Sequence, residues 1–262
     1  MTRRVVPFVD HEIGFRLLSK LFENFERGEI LIPTVITTME NGKKWWPGVK
    51  ELCADWGVPI IEYDESFPTK SVMKEADWFL LLSWKHIIPK SLLILPKLGA
   101  LNLHYSLLPS YRGTYPVNWA IISGEVKTGF SFHLVDEEID KGQTLIQHEI
   151  QIRFTDTART LQLRLDDLVC EKYDDLLQLL LEFDPKSHVR EVSKGSDPVF
   201  ELNSRERFER IRQIELNKQY SGLEFINLLR GLTFMESSKI AFFIDPERGE
   251  RVYIDIRLDK AE

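Results

Sequence analysis

Short apolar runs alternate with amphipathic stretches through the first half of the chain. Val5 to Val9 reads as a strand, and Phe15, Leu18, Phe22 and Phe25 then recur at helical spacing. Ile30 to Thr37 reads as a second strand, and Pro47 to Trp56 as a helix with proline near its first turn. Pro59 to Tyr63, Trp78 to Leu82 and Ala100 to His104 follow as strands, with Pro89 to Leu95 helical between the last two. Strands that alternate with helices need crossover connections. The pattern therefore predicts an α/β fold with a doubly wound, mostly parallel sheet. In that class ligands lie at the carboxyl ends of the strands.

Beyond residue 115 the alternation continues. Tyr115 to Ser123 is predicted helical, with Pro116 in its first turn. Thr128 to Leu134 and Gln143 to Ile152 read as two strands joined by an acidic loop. Asp156 is expected to cap one long helix reaching Phe183, with Leu161, Leu165, Leu168, Leu176 and Leu180 along its apolar face. Polar residues, Gly195 and two prolines then mark a boundary, so the expected domains are 1–190 and a small carboxyl-terminal subdomain, 191–262. In the tail, Ser221-Gly222-Leu223-Glu224 is a capping box opening a helix to about Leu232. Ile240 to Ile244 and Arg251 to Leu258 read as a hairpin with one apolar face. So short a tail is marginal as an independent domain. Its apolar face must pack on the main domain or on a second copy, and a homodimer is the expectation.

Composition narrows the partners. The 262 residues carry 34 Lys plus Arg against 41 Asp plus Glu, a formal charge of −7. That balance argues against a general nucleic-acid binder, whose affinity rests on neutralising phosphates. No stretch approaches 18 consecutive apolar residues, so no membrane insertion is expected. The opening Met1-Thr2-Arg3-Arg4 leads into a strand without a small-residue cleavage site. Cys53 and Cys170 are far apart and lack metal-ligand spacing, which fits a reducing, cytoplasmic setting and no metal.

The richest chemistry lies between Leu101 and Gly142. Asn102 and His104 are two apart on a predicted strand, so their side chains share a face at its functional end. Asp140 follows 38 residues after Asn102, where a turn can return a carboxylate to the imidazole. An amide, an imidazole and a carboxylate suit acyl transfer to an amine. The amide donates to a growing oxyanion, the imidazole handles the amine proton, and the carboxylate orients the imidazole. The alternative is structural. A lone histidine at a strand end is more often a hydrogen bonder, and the acidic run Asp136-Glu137-Glu138 with Asp140 reads equally as a solvated turn. His133 is read as structural.

Three stretches carry a resemblance: Asn102-Leu103-His104-Tyr105-Ser106-Leu107-Leu108-Pro109-Ser110-Tyr111-Arg112-Gly113; then Pro116-x-x-Trp119-Ala120-Ile121; then Thr128-Gly129-x-Ser131-x-His133-x-Val135 followed by Asp140-x-Gly142. Together they resemble the 10-formyltetrahydrofolate-dependent formyltransferases. Weaker resemblance runs over residues 75 to 180. It implies that Asn102 binds the formyl oxygen, that His104 is the acid/base, and that Asp140 pairs with His104 or a bridging water. It implies a folate site formed by Trp84, Lys85, His86, Ile87 and Ile88 with Val135, Asp136 and Asp140, where Trp84 either stacks on the pterin or is structural. It further implies acceptor contacts from Tyr105, Ser106, Arg112, Gly113 and Trp46.

Within the family the acceptor amine differs. Methionyl-tRNA members carry a larger, usually basic carboxyl-terminal barrel, whereas this tail is short and the net charge is −7. Arg230-Gly231-Leu232-Thr233 followed by a hairpin resembles the enzymes that formylate nucleotide-linked amino sugars. The implied acceptor is a dTDP- or GDP-linked aminodideoxyhexose of O-antigen or other surface polysaccharide biosynthesis. The alternatives are a formyltetrahydrofolate hydrolase, a methionyl-tRNA formyltransferase-like enzyme, or a binding module without turnover. Two segments depart from the family pattern: Asp10-His11-Glu12-Ile13-Gly14 replaces a glycine-led turn, and Asn41-Gly42-Lys43-Lys44-Trp45-Trp46 has no assigned place.

Overall fold

The computed structural model describes residues 2–38, 48–63, 71–186, 202–234 and 240–259, with 71 and 72 in backbone only. In chain order the elements are β1 (Arg3–Val9), α1 (His11–Glu26), β2 (Ile30–Leu31), β3 (Val35–Thr37), α2 (Val49–Asp55), β4 (Ile60–Glu62), α3 (Ser71–Lys74), β5 (Trp78–Leu82), α4 (Lys90–Leu93) and β6 (Gly99–His104). Then come α5 (Pro116–Ile122), β7 (Lys127–Leu134), β8 (Thr144–Gln151), α6 (Ala158–Glu171), α7 (Tyr173–Glu182), α8 (Arg205–Ile211), α9 (Gly222–Leu232), β9 (Ala241–Ile244) and β10 (Arg251–Ile254).

The main sheet has the order β4-β3-β1-β5-β6-β7-β8, with β2 also on β1. Pairs from β4 to β6 are parallel, and β7 joins β6 antiparallel. This is the doubly wound architecture expected. Val6, Phe8, Phe79, Leu81 and Ala100 lie in one apolar cluster with Met73 of α3 and Leu92 of α4. Their alternating neighbours face the other way. There Gly14 of α1 lies so near Val9 that a Cβ would come 2.9 Å from its Cγ1, and the Trp78 indole donates to the Leu180 carbonyl of α7 at 3.2 Å. Helices thus cover both faces.

Three element predictions change. The second strand breaks into β2 and β3, because Pro33 between them has no N–H to give a ladder. The single long helix is two. Its path breaks at Lys172 (φ −91°, ψ 18°), and the Tyr173 hydroxyl beyond the break donates to Asn24 Oδ1 at 2.6 Å. Asp156 does not cap α6. Its carboxylate accepts from the Arg153 N–H at 2.7 Å and pairs with Arg164, while Thr157 Oγ1 accepts the Thr160 N–H at 3.3 Å. The pattern also passed over α8, whose cap is Ser204 accepting from the Arg207 N–H. The capping box at Ser221 forms as expected, and so does the hairpin, although β10 ends at Ile254, four residues short of the predicted strand.

The chain divides into two compact units: Met1–His104, Ser131–Ile146 and Val169–Gly195 form one, and Tyr105–Phe130, Gln147–Leu168 and Ser196–Glu262 the other. The second is built around α5 against α9. Asn118 donates to the Gly231 carbonyl at 2.7 Å, and a Cβ on Gly231 would lie 2.9 Å from the Asn118 carbonyl oxygen. Buried Arg230 donates to the carbonyls of Asp156 and Arg153, each at 2.8 Å, and to Asn227 Oδ1 at 2.7 Å. Trp119, Phe208, Ile214, Leu232 and Ala241 form a further apolar cluster in this unit.

Candidate active site

In the first unit β6 carries Asn102 and His104 to the carboxyl edge of the sheet. Asn102 pairs with Leu81 on β5 and with His133 on β7, so an amide sits between an apolar neighbour and an imidazole. After β7 the chain turns back at once. The Val135 N–H donates to the Ala100 carbonyl at 2.8 Å, and the Leu134 N–H to the Gln143 carbonyl at 2.9 Å. Gly142 permits this closure, because a Cβ there would collide with the Leu134 carbonyl. The loop presents Asp140 with φ +53°, a left-handed conformation that Asp adopts more readily than most residues.

Asp140 then lies between two imidazoles. Its Oδ2 lies 3.5 Å from His104 Nδ1 and its Oδ1 lies 3.4 Å from His133 Nε2. Both rings are buried and the carboxylate side chain is 12% exposed. His133 Nδ1 is 2.9 Å from the Leu134 carbonyl oxygen. A carbonyl only accepts, so Nδ1 carries the proton. In the tautomer that leaves Nε2 unprotonated, that nitrogen accepts from Asn102 Nδ2 at 3.1 Å, and Asp140 Oδ1 is then its neighbour rather than its hydrogen-bond partner. One amide hydrogen is thereby committed and the second has a fixed direction. The arrangement can donate to a developing oxyanion through Asn102, move a proton through His104, and stabilise an imidazolium through Asp140. Sequence reasoning reads His133 as structural and does not connect it to Asn102. Its place opposite Asn102 is set by antiparallel register, which a single strand pattern does not reveal.

The remaining expected site residues fall into two groups. In the first unit, Trp84 and Val135 pack on the cluster that holds Ile88, Phe8 and Leu81. Trp84 meets the rings of Phe8 and Tyr63 edge-on. Its indole N–H has no hydrogen-bond partner among the described residues. Lys85, His86, Ile87 and Asp136 are exposed. Lys90, at the start of α4, forms an ion pair with Glu137. In the second unit, the Tyr105 hydroxyl donates to Asp166. The Ser106 hydroxyl is fully buried and donates to the Ser110 carbonyl at 2.6 Å. Arg112 is buried and its carbonyl accepts the Asn203 N–H at 3.0 Å. Gly113, at φ +94°, packs against the Asn203 backbone where a side chain would clash. Trp46, with the whole 41–46 segment, lies outside the described residues.

Nucleophilic chemistry has little support here. Burial pushes the Cys53 thiol up to about 12. Among the described residues no group of three or more His, Cys, Asp or Glu side chains is placed to hold a metal, and no helix is long and apolar enough to cross a membrane.

Comparison with known proteins places this geometry. Residues 58–175 match the family described as formyl transferase, and residues 207–260 match the N-formyltransferase dimerization C-terminal domain. A methionyl-tRNA formyltransferase of Thermodesulfovibrio yellowstonii is 34% identical over 202 residues, covering 74% of this chain and 65% of that protein. The chain spans about three-fifths of the length of the curated relatives it matches. A sugar N-formyltransferase from a Shewanella species has the same fold (TM-score 0.78, 20% identity, 99% of each chain). So has an N-formyltransferase from Helicobacter canadensis, solved with folinic acid and dTDP-3-aminofucose (TM-score 0.65, 20% identity, 89% of this chain and 81% of that one). Asn102, His104, His133 and Asp140 all fall inside the matched catalytic segment, and the chain belongs to the formyltransferase family.

Proposed function

We propose that this protein is an N-formyltransferase that moves a formyl group from 10-formyltetrahydrofolate to the amine of a nucleotide-linked amino sugar. The observation that carries the reading is the Asp140 carboxylate beside His104, with His133 holding the Asn102 amide next to them. In the reaction an amine nitrogen bonds to the formyl carbon and the bond from that carbon to N10 of the folate breaks. Asn102 donates to the formyl oxygen as negative charge develops on it. His104, with Nδ1 turned to Asp140, uses Nε2 to take the amine proton and return it to the departing N10. Asp140 favours the imidazolium formed between those transfers. His133 holds the Asn102 amide in register. The loops 84–88 and 135–140, side by side on one apolar cluster, suit the folate.

The sugar acceptor is supported by likeness to the Shewanella sugar enzyme over 99% of each chain and by a net charge of −7 that disfavours tRNA. Thirty-four per cent identity to a methionyl-tRNA enzyme favours the second reading, the tRNA acceptor. In the proposed arrangement residues 1–190 carry the chemistry and 191–262 pair two copies in a cytoplasmic homodimer. The exposed apolar side chains of Val252 and Tyr253 on β10 and the family match of residues 207–260 support that pairing. Surface polysaccharide biosynthesis would consume the product. A thermal-shift panel tests the acceptor class: dTDP, GDP or UDP should raise the melting temperature together with a folate, in proportion to affinity. Stabilisation by methionyl-tRNA and by none of the nucleotides would replace the sugar reading with the tRNA one.

A further inference from the structure

The first loop, Asp10-His11-Glu12-Ile13-Gly14, departs from the family pattern, and the mechanism leaves it unused. Asp10 is 2% exposed. Its backbone is extended (φ −131°, ψ 166°) and its N–H reaches the Leu82 carbonyl at 3.4 Å, so the residue prolongs β1 by one position. It occupies the N-cap of α1, yet its side chain caps nothing. Oδ1 accepts from the Thr38 hydroxyl at 2.6 Å, and the adjacent Thr37 hydroxyl donates to the Val9 carbonyl at 2.8 Å. These bonds fix the carboxylate's rotation. Oδ2 is buried and has no hydrogen-bond partner among the described residues. A buried acceptor without a donor is costly, and such groups in folded proteins are normally met by a partner, water or ligand.

Register locates this oxygen. Phe8 pairs with Leu81, and Leu81 with Asn102, so Phe8 and Asn102 are level across two strand spacings. Asp10 lies two residues beyond Phe8, as His104 lies two beyond Asn102. Side chains two apart on a strand share a face. Asp10 and His104 therefore stand on the same face of the sheet at its carboxyl edge, roughly 10 Å apart laterally.

We infer that Asp10 Oδ2 is a specificity-determining contact for the acceptor, receiving a hydrogen bond from a hydroxyl group of the sugar whose amine is at Asn102 and His104. A carboxylate oxygen only accepts, so the ligand atom must carry a proton. A phosphate at this helix terminus would bring no donor and would meet like charge. The diphosphate of a nucleotide-linked acceptor is therefore excluded from the end of α1, a place that otherwise attracts anions. The neutral, hydroxyl-bearing ring takes that place. This inference rests on the sugar reading above.

Steady-state kinetics with the amino-sugar nucleotide and its deoxy analogues test it on Asp10→Ala and Asp10→Asn. Because Thr38 holds Oδ1, the Asn amide nitrogen would take the Oδ2 position and set a donor against the ligand's donor. Both variants should raise acceptor KM about ten- to a hundredfold, the worth of one charge-assisted hydrogen bond, while donor KM holds. The wild type should lose a similar factor on the analogue lacking the contacted hydroxyl, and the variants should not discriminate against it. Asp10→Asn conserves volume and serves if Asp10→Ala does not fold. Unchanged acceptor KM in the variants, with an active wild type, would overturn the Asp10 contact alone. A wild type that formylates no amino-sugar nucleotide would overturn the sugar reading and this inference with it.

Discussion

At the residue scale the site turns on a carboxylate beside one ring and an amide held by another. Asn102→Ala removes the donor aimed at the formyl oxygen, and turnover should fall about a hundred- to a thousandfold. His133→Leu should cost about tenfold in kcat, the value of one orienting hydrogen bond, with melting temperature and donor KM held. In an Asn102→Ala background the same His133 change should cost nothing more, because the amide it orients is gone. Additive losses in that cycle would make His133 merely structural. A second residue-level outcome concerns thiols. Burial pushes Cys53 up to about 12, so at pH 8 it lacks the reactive thiolate. Peptide mapping after native labelling with an aromatic disulfide should find Cys53 unmodified, and modified once the protein is denatured.

At the scale of elements, glycines mark where backbones approach. Gly142→Ala sets a methyl against the Leu134 carbonyl and should displace the loop that carries Asp140. Turnover should drop and stability fall by about 1–3 kcal/mol, read by the denaturation midpoint. Gly231→Ala in α9 presents two opposed effects. Helix propensity favours alanine by about 1 kcal/mol, but its Cβ would press on Ile122 and the Asn118 carbonyl of α5. Overpacking of about 1–3 kcal/mol wins, and the melting temperature should fall. Much at this scale was legible in the chain. A short apolar run located β5, and the runs around β7 and β8 located those strands to within a residue at each end, β8 alone alternating in burial as a half-buried strand does. The Ser221 box announced α9 because both halves of a cap lie three residues apart. What stayed hidden was tertiary: the break at Lys172 follows from Tyr173 reaching Asn24, far away in sequence, and α8 has too mixed a surface to be read as amphipathic. The site shows the same division. Asn102, His104 and Asp140 were readable as residue types at a family's spacing. His133 required the β6–β7 register, and the orphaned Asp10 oxygen required knowing that Thr38 holds only its twin.

At the scale of the whole molecule, the match of residues 207–260 to a dimerization domain makes the proposed pairing of two copies testable. An isolated two-stranded ribbon is marginal in water, and β10 leaves Val252 and Tyr253 substantially exposed. Sedimentation should find a dimer for the wild type and a monomer for Tyr253→Glu, whose charge would be buried unpaired at the joint. A monomeric wild type would remove the pairing role from the tail. The central claim is formyl transfer to an amine by Asn102, His104 and Asp140. Its most direct measurement is the conversion of 10-formyltetrahydrofolate to tetrahydrofolate with and without amino-sugar nucleotides, in the wild type and in His104→Asn. The account predicts conversion that requires the acceptor, yields one formamide per folate, and falls at least about a hundredfold in the variant. Conversion at the same rate without any amine, or undiminished turnover in His104→Asn, would contradict it.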